Sequence, residues 1–216
     1  MAKLPPPFDE SRFEGDALVA WNGQGAVRLL DRHVNGALLL ERAEPATIAG
    51  DDSAVATCLA SLWIDPPAGV DWLRADEQRH RWAATIDRWR EAVGPALADA
   101  AIAVLHEGLG DDTTLLHGDG HHGNILDGGH RGWLAIDPQP IVGPPAMDLA
   151  CALWNGPGGP IDRRIDVVAG VAGVDRRDLR RLAVARAVLC AAWVFDDGEN
   201  ADFASRALTV AAELTR

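Results

Sequence analysis

Apolar residues recur along this chain with two periods, and the alternation between them predicts the order of its elements. Phe8, Phe13, Ala17, Leu18 and Trp21 sit close to helical spacing, which predicts a helix from about 8 to 21, ended by Asn22-Gly23. AVRLLDR and GALLLER then predict two short strands joined by a turn containing Asn35-Gly36, an antiparallel hairpin. Helical spacing returns from Ile48 to Trp63 and stops at Asp65-Pro66-Pro67, where proline removes donors. Between Asp76 and Val93, residues Trp82, Ile86, Trp89 and Val93 share one face, with Arg79, Arg81, Asp87 and Arg88 between them, as in an amphipathic helix. An alanine-rich helix is expected from about Pro95 to Leu109.

The runs TLLH, NIL and WLAI, separated by glycine-rich turns, predict small strands that present a loop between them. The segments 145–155, 161–172, 176–196 and 199–215 read as helical. The expected class is therefore α+β: a small strand-containing front over 1–44 and a larger, mainly helical back over 45–216. The polar loops between 117 and 143 fall at their junction.

Composition narrows what such a fold can do. The chain has 216 residues, enough for a sizeable core, and no apolar run approaches the roughly 20 residues needed to cross a bilayer. MAKLPPPFDE has neither an apolar signal core nor a cleavage site, so a cytoplasmic protein without a membrane partner is expected. A net charge of −12 disfavours nucleic acid and favours a cationic small molecule. Cys58, Cys151 and Cys190 lie far apart inside apolar stretches, which predicts buried thiols. Lys3 is the only lysine, so chemistry that needs one has a single candidate.

The densest polar cluster is HGDGHHGN, His117 to Asn124, with hydrophobic runs on both sides and Asp137 following in WLAIDPQP. A loop carrying Asp119 and Asn124, then a strand ending in Asp137, brings three oxygen-bearing side chains around one point. Phosphoryl transfer needs that set, because the protein positions a hydroxyl and holds Mg²⁺ on nucleotide phosphates instead of supplying covalent chemistry. His117, His121 and His122 also permit a zinc hydrolase reading, although the helical HExxH spacing is absent; the favoured expectation is a packed, loop-bracing His117 with His121 and His122 as partly exposed neighbours of the site.

The pattern HGDxxxxN, then a strand and an Asp, resembles the catalytic and metal-binding loops of protein-kinase-like phosphotransferases. GQGAVRLLDR, ALLLERAEP, LLHGDGHHGNIL, GWLAIDPQPIVGPPAMDLACALWN and LAVARAVLCAAW are together similar to the aminoglycoside/hydroxyurea antibiotic resistance kinase family, across most of residues 14–195. The resemblance implies a protein-kinase-like fold with an incomplete strand-containing N-lobe and a mainly helical C-lobe. It also implies ATP and Mg²⁺ as cofactors and an alcohol group of a small molecule as acceptor. Residue by residue, it makes Asp119 the catalytic base, Asn124 and Asp137 metal ligands, and Asp148 a brace for the catalytic loop. Lys3 and Glu14 become the phosphate-clamping pair. The backbone around Glu41 to Ala43 becomes the adenine-facing hinge.

Family members carry a glycine-rich turn before the strand lysine, and no residues before Lys3 here match it. The expectation is that translation starts upstream or that the chain is a truncated form, with a vestigial nucleotide-binding module as the rival to an active kinase. Trp82, Trp89, Trp154 and Trp193 are expected to fill the core and not to stack on a ligand, with a place beside the acceptor pocket for Trp154-Asn155 as the alternative. The acidic residues Asp196, Asp197, Glu199 and Asp202 are expected on a solvated face.

Overall fold

The computed structural model describes residues 1–4, 12–44, 47–110, 114–198 and 201–216. Strand β1 (Ala2–Lys3) and strands β2 (Leu29–Arg32) and β3 (Leu38–Leu40) form an antiparallel sheet in the order β1-β3-β2, with helix α1 (Glu14–Trp21) alongside. The β2–β3 turn forms as its Asn-Gly pair predicts: His33 N–H donates to Ala37 O at 2.8 Å, His33 O accepts from Gly36 N–H at 2.9 Å, and Asn35 Oδ1 accepts from the Ala37 N–H at 3.0 Å. Lys3 is not a frayed terminal residue. Its backbone pairs with Leu38, and the N-terminal amine donates to Leu40 O at 2.5 Å.

The helical part comprises α2 (Asp52–Leu62), α3 (Ala75–Arg88), α4 (Arg90–Val93), α5 (Pro95–Glu107), α6 (Pro145–Leu149), α7 (Ala152–Asn155), α8 (Ile161–Ala172), α9 (Arg176–Asp197) and α10 (Ala201–Leu214). The expected start of the first helix, at Phe8, lies outside the described residues. The helix expected from Ile48 begins later because Asp51 caps it, accepting from Ala54 N–H at 2.9 Å, while Ile48 is exposed and bridges to Leu126. The helix expected over 76–93 breaks at Trp89, whose N–H reaches both Thr85 O and Ile86 O.

Four short strands carry the polar loops: β4 (Thr114–Leu116), β5 (Ile125–Asp127), β6 (Trp133–Ala135) and β7 (Ile141–Gly143), paired β4 with β7 and β5 with β6. Strand β7 was not expected, since PQP and PP surround it. It is tied on its other side to the segment before α3, with Val142 N–H donating to Leu73 O at 2.7 Å. The front sheet meets this layer through Val27 N–H to Ala135 O (3.1 Å) and Ala135 N–H to Gly25 O (2.8 Å). The loops after β4 and β6 therefore lie where the two parts join. Leu59 and Leu62 of α2, Leu115 and Leu116 of β4 and Leu149 of α6 are fully buried beneath them. Each such leucine contributes roughly 1.5–3 kcal/mol, so the loops rest on a stiff floor. Cys58 and Cys151 are buried and Cys190 half-buried, all as free thiols. Among the described residues no helix is long and apolar enough to cross a membrane.

Candidate active site

Asp119 is presented by a turn held through the backbone groups of His117, Gly118 and Asp119. Gly118 has φ +82°, a conformation that favours glycine, and a side chain there would collide with the Gln139 carbonyl. Buried Asp148 (2% exposed) accepts from His117 N–H (3.1 Å), Gly118 N–H (2.8 Å) and Trp63 Nε1–H (3.1 Å). This is the bracing role that its sequence position implied. On the other side, Arg186 Nη2 donates to Gly118 O at 3.0 Å.

The His117 ring is set by its two neighbours. Its Nδ1 accepts from Asp119 N–H at 3.3 Å, so the proton resides on Nε2 and points to Ile136 O at 2.9 Å. The ring also stacks on Trp21. Both nitrogens are thus spent inside the fold. His121 uses Nδ1 on Gly123 N–H at 3.0 Å, and burial holds this imidazole below its ordinary pKa. His122 turns the opposite way into the core. Among the described residues no three His, Cys, Asp or Glu side chains are grouped so as to hold a metal ion, so the zinc reading lacks a geometric basis there.

Asn124 Nδ2 donates to Asp119 O (3.0 Å) and Asp119 Oδ2 (3.1 Å). Its own carbonyl accepts from Ile136 N–H at 2.9 Å, one residue before Asp137, so Asn124 and Asp137 sit at the same end of the β5–β6 hairpin. Asp137 has φ +54°, a left-handed conformation uncommon outside glycine, which costs about 1–2 kcal/mol and marks backbone held in place by its surroundings. Lys3 Nζ bridges to it across the junction, 2.9 Å from Asp137 Oδ1 and 2.7 Å from Glu14 Oε1. Glu14 is fully buried and its Oε2 has no partner among the described residues.

Burial pushes the Glu14 carboxyl above its ordinary pKa, against the pull of the Lys3 ammonium. For Lys3, burial acts to lower the pKa, but the hydrogen bonds to Glu14 and Asp137 outweigh it and the net shift is upward. The Lys3 ammonium is thus held charged at neutral pH, with its proton secured by two carboxylates. Lys3, Glu14 and Asp137 form one contiguous group; Asp119 and Asn124 form another on the adjoining loop. The Glu41 carboxylate is engaged by Arg131, and Ala43, three residues after β3, is buried.

Sequence reasoning missed a buried ionic cluster beneath the loop and misplaced His122. Arg164 donates through Nε and Nη2 to both oxygens of Asp52, at 2.8 and 2.7 Å, and through Nη2 to Ala152 O at 2.8 Å. Burial acts against the Asp52 charge, yet Arg164 and His122 hold its pKa down to about 2. His122 was expected partly exposed but is 5% exposed, with Nε2 3.2 Å from Asp52 Oδ1 and off the hydrogen-bond axis. The available signal was an arginine within the apolar stripe of α8, among Ile161, Ile165 and Val168. Trp154 is 5% exposed and packs in the core, the place expected for it, while Trp82 and Trp193 line the pocket beside Gly118.

The model of the family described as aminoglycoside/hydroxyurea antibiotic resistance kinase matches residues 1–198. The chain is 36% identical to a hydroxyurea phosphotransferase of Kitasatospora aureofaciens, an alignment covering 92% of this chain and 63% of that protein. It is 34% identical to a streptomycin 6-kinase of Streptomyces glaucescens, covering 92% of this chain and 72% of the relative. It thus spans less than two thirds of the first relative's length. A choline/ethanolamine kinase family protein from Mesorhizobium loti superposes with a TM-score of 0.71 at 12% identity, covering 100% of this chain and 82% of that one, which establishes the protein-kinase-like fold.

Proposed function

Since the chain belongs to the aminoglycoside/hydroxyurea antibiotic resistance kinase family, we propose that it transfers the γ-phosphoryl group of ATP to an alcohol group of an aminoglycoside-like antibiotic in the cytoplasm. One observation carries this reading. Lys3 joins Glu14 to Asp137, while on the neighbouring loop Asn124 ties itself to Asp119, and these two polar groups on adjoining loops support the reading.

In the reaction, the acceptor oxygen bonds to the γ-phosphorus and the bond from that phosphorus to the β–γ bridging oxygen breaks. The acceptor proton passes to a carboxylate oxygen of Asp119, giving ADP, a phosphoester and a proton. Asp119 is about one-third exposed, so it can reach a hydroxyl. Asn124 and Asp137 fit a magnesium ion. The Asn124 amide spends its N–H groups on Asp119, which leaves Oδ1 as a ligand, and Asp137 gives only Oδ1 to Lys3. Magnesium, when bound, neutralises charge on the phosphate oxygens. Lys3 supplies the fixed positive charge against the phosphates, and the backbone from Glu41 to Ala43 faces the adenine. The overall charge of −12 attracts a cationic acceptor at long range.

The test is phosphate transfer from labelled ATP to a panel that includes streptomycin and hydroxyurea, the compounds named for its relatives. Asp119→Asn preserves shape and is expected to lower kcat by about 10²–10⁴ while calorimetric ATP affinity stays within about twofold. Turnover within about tenfold of the parent refutes the assignment of the base.

A further inference from the structure

Helix α2 lies beneath the loop that joins Asp119 to Asn124, and the loop meets it at two points. Gly120 is so close to Leu59 that any side chain there would collide with the leucine methyl groups. Seven residues earlier, on the same face of the helix, Asp52 lies under His122, with the ring Nε2 3.2 Å from Asp52 Oδ1. The first contact is a fit of shapes, whereas the second joins polar groups taken out of water. Arg164 grips both Asp52 oxygens and also donates to Ala152 O in α7. Gly156, just past α7, closes another side: a side chain there would strike both Arg164 and the His122 ring. Neither nitrogen of that ring has a hydrogen-bond partner among the described residues, and both are buried. An imidazole in that condition is costly, and a leucine could fill the same space without leaving polar atoms unpaired. The nitrogen that faces a carboxylate carries the proton, so the ring is oriented by the attraction of its N–H for a charge that Arg164 immobilises.

His122 opens a single 3₁₀ turn, His122–Asn124, and Asn124 at its end reaches Asp119 at 3.0 and 3.1 Å. Resting on the phosphotransfer reading, we propose that His122 is a positioning residue: seated on the Asp52–Arg164 pair, it sets the height of this turn above α2, and with it the separation of the base Asp119 from the metal ligand Asn124. Asp148 in α6 holds the start of the loop, and the buried pair holds its far end. A misplacement of about 1 Å at reacting groups lowers a rate by roughly a hundredfold, so a small tilt of the turn is enough.

Two variants of the full chain separate positioning from packing. His122→Leu fills the space without a polar hydrogen, and His122→Gln carries an N–H as many bonds from Cβ as Nε2 is. Calorimetry measures how far magnesium strengthens ATP binding, and labelled ATP measures kcat and KM with streptomycin and hydroxyurea. In His122→Leu the magnesium-dependent gain in ATP affinity and kcat are each expected to fall at least about tenfold, with the acceptor KM within about twofold. His122→Gln is expected to recover most of both. A residue that only packs the core would lower Tm and leave both quantities unchanged in the folded protein. Parental values in His122→Leu, or equal losses in the two variants, overturn the proposal. Should His122→Leu not fold, His122→Asn, whose amide is too short to reach Asp52, takes its place with the same expected losses. A parent that binds ATP with magnesium but phosphorylates neither compound counts against the phosphotransfer reading, and the magnesium measurement then decides the positioning by itself. A parent whose ATP binding ignores magnesium sinks both.

Discussion

Replacing Arg164 with methionine removes the partner of a carboxylate that has nowhere else to go. Asp52 is 8% exposed, and its pKa falls from 3.8 to about 2 in the fold. That difference corresponds to about 2 kcal/mol of stability at neutral pH. The substitution forfeits it and leaves the charge buried with only a poorly aligned imidazole nearby, so the total loss is expected at about 3–5 kcal/mol. In urea this lowers the unfolding midpoint by roughly 1–2 M, taking a slope of about 2–3 kcal/mol/M.

The sign of the pH dependence follows from the direction of the shift. A folded pKa below the unfolded one stabilises above about pH 4, and the benefit disappears as the pH falls to about 2. In Arg164→Met, burial dominates and the folded pKa rises, so Asp52 then destabilises wherever it is ionised. The gap between parent and variant should therefore widen from about pH 2 to pH 7, and Asp52→Asn in the variant background should recover part of it. A loss below about 1 kcal/mol at pH 7, or a gap that does not depend on pH, refutes the argument.

Two further substitutions examine the loops directly. Gly118→Ala places a side chain at φ +82° and against the Gln139 carbonyl; it should cost at least about 1–2 kcal/mol in thermal unfolding and abolish transfer, whereas a near-parental Tm would show that the turn is not constrained. Asp137→Ala should remove the magnesium dependence of ATP binding, measured by titration calorimetry with and without the metal. An unchanged metal dependence rules out Asp137 as a ligand.

Local signals made much of this architecture readable. Asn35-Gly36 specifies its hairpin through backbone conformation alone, and the Trp82–Ile86 stripe specifies α3 through its period. HGDGHHGN could be singled out because its polar residues interrupt apolar strands, and the fold does bring Asp119 and Asn124 into contact. What could not be read depends on distant partners. Arg164 meets Asp52 across 112 residues, and β7 exists because Leu73 and β4 complete its hydrogen bonds, although its flanking prolines argue locally for a loop. The burial of His122 follows from the same cluster. Arg186 sits in an alanine-rich helix where only its charge is out of place, and its tryptophan neighbours come from α3 and from two turns further along α9.

Because Lys3 is the chain's single lysine and is pinned between Glu14 and Asp137, an amine-directed acylating reagent has one side-chain address in this protein, located at the junction itself. Its labelling rate is a built-in reporter: anything that closes over that ammonium slows the reaction, and anything that frees it from the two carboxylates hastens it.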